Sequence, residues 1–202
     1  DQPMPNEDGS VWLTCNGEIY NHLSLRRRLE LKGHVFRSDS DSETVIHAYE
    51  EFGPECVKML RGIFAFGIYD TRSRSLLLAR DKIGVKPLYF HQTKRLFMFA
   101  SQPRALIARE HLVANVNPAA FSLFLAYGNV PGEHSIFSGI RKLLPGHYLL
   151  LHDSTVTMHR YWELKYVPRI TNEDEARDHV RAKVRECVCS QSVSDVPVGT
   201  LL

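Results

Sequence analysis

The sequence predicts an α+β fold for residues 1 to about 162, and three observations carry that prediction. Two helical patterns fill the first fifty or so positions, strand-like runs cluster after Gly62, and a hairpin pattern closes the region before a proline-containing linker. Helices and strands grouped in blocks, rather than alternating, are the mark of that class.

In chain order, Val11–Cys15 reads as a short strand running into Asn16-Gly17. Leu25 and Leu29 make Leu23–Lys32 a helix with a stop at Gly33. Ser40-Asp41-Ser42-Glu43 opens a second helix through Val45, Ile46 and Tyr49, closed by Gly53, its acidic first turn facing the positive end of the dipole. Ile63–Asp70, Leu76–Arg80, Leu88–His91 and Leu96–Ser101 follow as four runs with the rhythm of an antiparallel sheet. Asn117-Pro118 starts a helix over Ala119–Leu125. His147–Leu151 and Val156–Tyr161, joined by Asp153-Ser154, form a hairpin. Trp162–Ile170 is a linker, Thr171 with Asp174 resembles a capping box, and Ala176, Val180, Val184 and Val188 recur at helical spacing. Asp195–Gly199 then leads into a strand at Thr200–Leu202.

Composition narrows the function classes. With 44% hydrophobic and 24% charged residues among 202, the chain can bury a core, and a net charge of +2 gives no reason to invoke a nucleic acid or a membrane surface. No apolar run reaches the length of a membrane span, and no signal peptide is visible. Cys15, Cys56, Cys187 and Cys189 do not form a disulfide framework, and Cys187-Val188-Cys189 lacks the spacer of a zinc pair. The ten histidines are scattered. The expectation is a cytoplasmic protein without a bound metal. The chain opens on Asp1 and ends on the apolar pair Leu201-Leu202, which reads as a fragment.

Three motifs offer chemistry. Asn16-Gly17-Glu18-Ile19-Tyr20-Asn21 contains the favoured two-residue hairpin turn. It equally offers a side-chain amide N–H and a backbone N–H without a neighbouring Cβ, able to converge on one developing oxyanion. Ser40–Glu43 is a helix cap whose rigid carboxylate can also bind an ammonium group. Arg80-Asp81, with Gly84 and Pro87 after it, fits a salt-bridged turn between strands.

Taken together and in this order, these blocks resemble the class II glutamine amidotransferases, and more closely the asparagine synthetase family. The matching stretches include Gln2-Pro3-Met4, Asn6–Gly9, Asn16–His22, Ser40–Glu43, Tyr49–Gly53, and Leu60–Asp70 through Leu76–Tyr89. They continue with Tyr127–Pro131, Ser135–Ile140, Lys142–Tyr148, Tyr161-Trp162 and Asp195–Leu202, so the resemblance covers essentially the whole chain. It implies an N-terminal-nucleophile glutaminase fold of stacked antiparallel sheets with flanking helices over residues 1–167. Residues 168–202 would be the linker helix and first strand of an α/β ATP-binding synthetase domain.

It also implies roles. Asn16 and Gly17 match the oxyanion hole, Glu18 a glutamine contact, Asp41 the carboxylate that binds the α-ammonium of glutamine, and Leu202 a residue at the adenine of ATP. The family's nucleophile is an N-terminal cysteine, and none stands in this chain; Cys15 reads as core. Glutamine, aspartate and ATP are the implied partners, with Mg²⁺ alongside ATP in the parent enzyme and none bound by this chain; a homodimer is left open. The parent reaction would hydrolyse glutamine and use the ammonia for ATP-dependent amidation of aspartate, while residues 1–202 alone would be inactive. Two alternatives stay open: an amidotransferase with another acceptor, and a homologue that binds without catalysis.

Overall fold

The computed structural model describes residues 2–108, 115–192 and 199. Two compact units divide between Glu163 and Leu164.

The first unit has three layers, and strand periodicity explains them. A six-stranded antiparallel sheet runs in the order β1-β2-β3-β4-β8-β9, built from β1 (Met4–Pro5), β2 (Val11–Ile19), β3 (Gly62–Asp70), β4 (Ser75–Arg80), β8 (His147–His152) and β9 (Thr155–Arg160). Along these strands successive side chains alternate between faces. Val11, Leu13, Ile19, Phe64, Phe66, Ile68, Leu77 and Ala79 meet one helical layer, made of α1 (His22–Glu30), α2 (Asp41–Phe52) and a 3₁₀ segment, Gly53–Lys58. Ala65, Leu78 and Leu149 face the opposite way, onto Leu88, Phe90 and Leu143. Those belong with a three-stranded sheet ordered β6-β5-β7, from β5 (Tyr89–Gln92), β6 (Phe97–Ala100) and β7 (Ile140–Lys142). A strand covered on both faces has no polar side, hence the unbroken apolar runs in β3 and β4. Gly67 lets the layers close: a Cβ there would stand 2.6 Å from the Phe99 ring.

The four strand-like runs after Gly62 are therefore strands, divided between two sheets and not joined in one meander. β4 pairs with β8, with Leu77 opposite Leu150, while β5 and β6 form the second layer. The short elements β1, β7 and α3 (Pro103–Ile107) carry no sequence pattern long enough to read. Asn117 caps α4 (Pro118–Tyr127), its Oδ1 accepting from the Ala119 and Ala120 N–H groups at 3.1 and 3.2 Å. The β8–β9 turn places Asp153 and Ser154 at φ of 48° and 63°, the left-handed pair that a tight hairpin demands.

The second unit contains α5 (Glu173–Gln191). Its cap is Asn172, not Thr171: the Asn172 Oδ1 accepts from the Glu175 N–H at 3.1 Å. Val180, Val184 and Val188 are exposed. The expected strand at Thr200–Leu202 lies outside the described residues. Among the described residues no helix is long and apolar enough to cross a membrane.

Candidate functional site

Asn16-Gly17 is not a hairpin turn. β2 continues through it to Ile19, with Asn16 opposite Ala65, Gly17 opposite Phe64 and Glu18 opposite Ile63 on β3. Gly17 is needed because of that neighbour, not because the chain reverses. Its φ is +150°, and a Cβ would fall 2.0 Å from the Ile63 carbonyl oxygen. Only glycine tolerates both the conformation and the approach.

The outer edge of β2 shows how the site is built. Gln2 uses its side-chain amide as a substitute strand: its Oε1 accepts from the Cys15 N–H and its Nε2 donates to the Cys15 carbonyl, both at 2.8 Å. Four residues on, the Ile19 N–H donates to Asp41 Oδ2 at 2.6 Å. Backbone N–H groups of alternate strand residues point the same way. The Gly17 N–H therefore lies in the row between Cys15 and Ile19 and points away from β3. The Asn16 and Glu18 side chains are exposed on one face of the strand, and among the described residues neither side chain has a hydrogen-bond partner.

Asp41 arrives from a different element. Ser40 caps α2, its hydroxyl accepting from the Ser42 N–H at 3.3 Å. That frees Asp41, the first helical residue, to reach across to β2 instead of closing its own helix. Glu43 is turned inward, where its carboxylate accepts from the Arg37 and Ser38 N–H groups at 2.7 and 2.8 Å. Burial pushes the Glu43 carboxyl up, yet these bonds outweigh it and hold the group below its ordinary value. So two acidic residues of one short motif have separate duties: Glu43 anchors a loop, and Asp41 stands at the β2 edge.

Beside Asn16 a cleft of about 400 Å³ opens where the two sheets part, lined among others by Gln2, Thr14, Pro87, Phe99 and Ser101. Cys15 also borders it, but packs partly against the helical core. Burial drives its thiol up to about 11, so at neutral pH it is a protonated thiol and a poor nucleophile. Cys56 is fully buried, its thiol pushed up to about 12.

The Arg80-Asp81 motif is a self-contained loop. The Asp81 carboxylate accepts from four backbone N–H groups, those of Ile83, Gly84, Val85 and Lys86, at 2.6–3.1 Å. The Arg80 guanidinium donates to the carbonyls of Gly84, Lys86 and Leu143 at 2.7–2.8 Å. This loop carries Lys86 into electrostatic reach of Cys15.

The structure thus brings Asn16, Gly17, Glu18 and Asp41 to one edge. Leu202 lies outside the described residues. Gln2 was missed as a contributor; the signal was its place in the Gln2-Pro3-Met4 match, to which the sequence attaches no role.

The chain is 36% identical to asparagine synthetase [glutamine-hydrolyzing] 3 of Bacillus subtilis, over 93% of this chain and 31% of that protein. It is 33% identical to asparagine synthetase [glutamine-hydrolyzing] 1 of the same organism, over 100% of this chain and 32% of that protein. It therefore spans about a third of the length of these relatives. Among solved structures, the glutamine phosphoribosylpyrophosphate amidotransferase of B. subtilis superposes with a TM-score of 0.54 at 21% identity, covering 80% of this chain and 32% of that one. That likeness bears on the fold, which is the expected α+β, N-terminal-nucleophile glutaminase fold. The glutamine amidotransferase domain family matches residues 1–162, and the chain belongs to that family.

Proposed function

We propose that this chain is the glutamine-handling part of a glutamine-hydrolysing asparagine synthetase. The observation that carries the proposal is the β2 edge, where an exposed Asn16 side chain adjoins an outward Gly17 N–H and a carboxylate that α2 delivers. Amide hydrolysis needs two donors on the oxygen that becomes negative, and one such donor is worth roughly 3 kcal/mol of barrier. Asn16 Nδ2 and the Gly17 N–H fill that role, and both stand on a strand, which holds them rigidly. Asp41 takes the α-ammonium of glutamine while keeping its bond to Ile19, and Glu18 contacts the substrate from the same edge.

The nucleophile is the upstream cysteine that the family resemblance implies, since burial leaves Cys15 and Cys56 protonated. Its thiol passes its proton to its own α-amine and attacks the side-chain amide carbon of glutamine, the C–N bond breaks as that proton goes to the departing ammonia, and water resolves the thioester to glutamate and the free thiol. Residues 1–202 by themselves are accordingly inactive as a glutaminase. The acceptor is aspartate in this reading, amidated in a second domain that uses ATP and Mg²⁺. Support for it comes from the second B. subtilis relative, whose match runs over all of this chain, past the amidotransferase domain that ends at 162. Leu202 would sit at the adenine of ATP, and the steps at Asn16, Gly17, Glu18 and Asp41 run without the nucleotide.

The test uses a protein that carries this chain together with the upstream cysteine and the synthetase domain. Asp41→Asn retains an oxygen for the Ile19 N–H, so folding survives. Loss of a charge-assisted bond to the substrate costs about 1.5–3 kcal/mol, a ten- to hundredfold fall in glutamine-dependent synthesis. Synthesis from free ammonia stays nearly intact. Equal loss with both nitrogen sources would make Asp41 a structural link only.

A further inference from the structure

Away from the β2 edge, the C-terminal half of α2 carries a second polar cluster that glutamine hydrolysis does not use. His47 and Glu50 stand one turn apart on α2, His34 follows α1, and Glu7 comes from the turn after β1. One ligand-type atom from each of the four lies within 4.8 Å of all the others. His47 Nδ1 is 3.0 Å from Glu50 Oε2 and 3.7 Å from Glu7 Oε1, and His34 Nδ1 is 3.8 Å from the same Glu50 oxygen.

We propose that Glu7, His34, His47 and Glu50 form a tetrahedral site for Zn²⁺ or a similar imidazole-preferring divalent metal. Zinc bonds of about 2.0–2.2 Å to nitrogen and oxygen place neighbouring ligand atoms about 3.3–3.5 Å apart. The three separations above bracket that edge and the other three lie within 4.8 Å, so closing the site takes movements of about an ångström or less. Two imidazoles with two carboxylates suit zinc better than Mg²⁺, which prefers an all-oxygen octahedron.

The surroundings match a metal centre in a second way. Both histidines turn Nδ1 inward and present Nε2 to another carboxylate, His34 to Glu51 at 3.6 Å and His47 to Glu43 at 3.6 Å. A carboxylate in that position fixes the tautomer of a metal-bound histidine once the Nε2–H closes onto it, a movement of a few tenths of an ångström from 3.6 Å. His47 is 1% exposed, and its Nε2 is the buried side-chain polar atom without a hydrogen-bond partner among the described residues. With Nδ1 on a metal, the proton must sit on Nε2, facing Glu43. Glu50 is pre-oriented as well, its other oxygen accepting from Asn6 Nδ2 at 2.6 Å. Four carboxylates around two imidazoles favour a cation. Glu7, about one-third exposed, leaves an entry from solvent.

The site is absent from the sequence reading, which expects no bound metal, because its ligands come from three separated segments. It is independent of the glutaminase reading. Its effect would be to tie the Glu7 turn and the His34 loop to α2, the helix whose first residue is Asp41.

The test is calorimetric titration of ZnCl₂ into the 202-residue chain after chelator treatment and dialysis. One saturable site is expected, with no heat from MgCl₂, and Co²⁺ should give the intense visible absorption of a tetrahedral ion. Glu7→Gln and His34→Gln, both away from the buried core, should weaken binding ten- to hundredfold or more. Cys187→Ser with Cys189→Ser should leave it unchanged. The rival is an imidazolium at His47 held by carboxylates without metal. Absence of saturable binding, binding that survives Glu7→Gln and His34→Gln, or binding lost with the two cysteines would each overturn the proposal.

Discussion

The β2 edge and the Arg80–Lys86 loop begin from similar sequence material, polar residues beside a glycine, and reach opposite chemical states. In the loop the two strongest groups are matched: the Asp81 carboxylate takes four N–H groups of the loop, and the Arg80 guanidinium binds two loop carbonyls and that of Leu143. At the edge, Gln2 and Asp41 tie Cys15 and Ile19 while the groups between them point outward. A buried polar group without a partner costs about 1–3 kcal/mol, so closed networks serve stability. Groups left unmatched at an accessible edge are available to a ligand. Glycine divides the same way. Gly84, at φ +72°, lets the loop turn, whereas Gly17 lets β3 approach and leaves its N–H outward.

The comparison yields predictions of decreasing size. Gly17→Ala should be the most damaging substitution. Its Cβ meets the Ile63 carbonyl at 2.0 Å in a conformation that L-residues avoid, which costs about 4 kcal/mol and separates β2 from β3. Denaturant unfolding measures it, and a change below about 1 kcal/mol would break the account of why glycine stands there. Asp81→Ala should follow, at about 3 kcal/mol, because it removes the buried acceptor of four backbone N–H groups together. In an active full-length protein this variant should leave the KM for glutamine unchanged. A raised KM with normal stability would move the loop into the binding site and dissolve the contrast.

Glu43→Gln is the smallest, about 1 kcal/mol at neutral pH, and sharpens the division of labour within Ser40–Glu43. The Glu43 carboxyl is held below its usual 4.5 in the folded state, so its contribution is present above that pH and lost as pH falls through the folded value. Unfolding curves of wild type and variant should converge on acidification. A gap independent of pH would mean that the charge of Glu43 adds nothing.

Features governed by local chemistry were readable from sequence. Ser40 and Asn117 cap the helices expected of them, and Asp153-Ser154 makes the expected turn. Features set by distant partners were not. Asn16-Gly17 favours a turn by local preference, but pairing with β3 overrides it, and nothing near Gly17 announces Ile63 as a neighbour. The pairing of β4 with β8 joins residues about seventy positions apart, and Gln2 acts as a strand through its side chain. Glu7, His34, His47 and Glu50 meet only because two helices and a turn converge. For the candidate site, the residue types come from motif order, while the reason they gather at one edge lies in the parity of β2.

The central claim is that Asn16 donates to a developing oxyanion, and Asn16→Asp tests it most directly. The residue is exposed in mid-strand, so the nearly isosteric change leaves folding intact while a carboxylate replaces the N–H donor. In a protein that carries the upstream cysteine, thermal melting and the KM for glutamine should stay close to wild type. The hydrolysis rate should fall by about a hundredfold or more. A normally folded variant that hydrolyses glutamine at the wild-type rate would contradict the account.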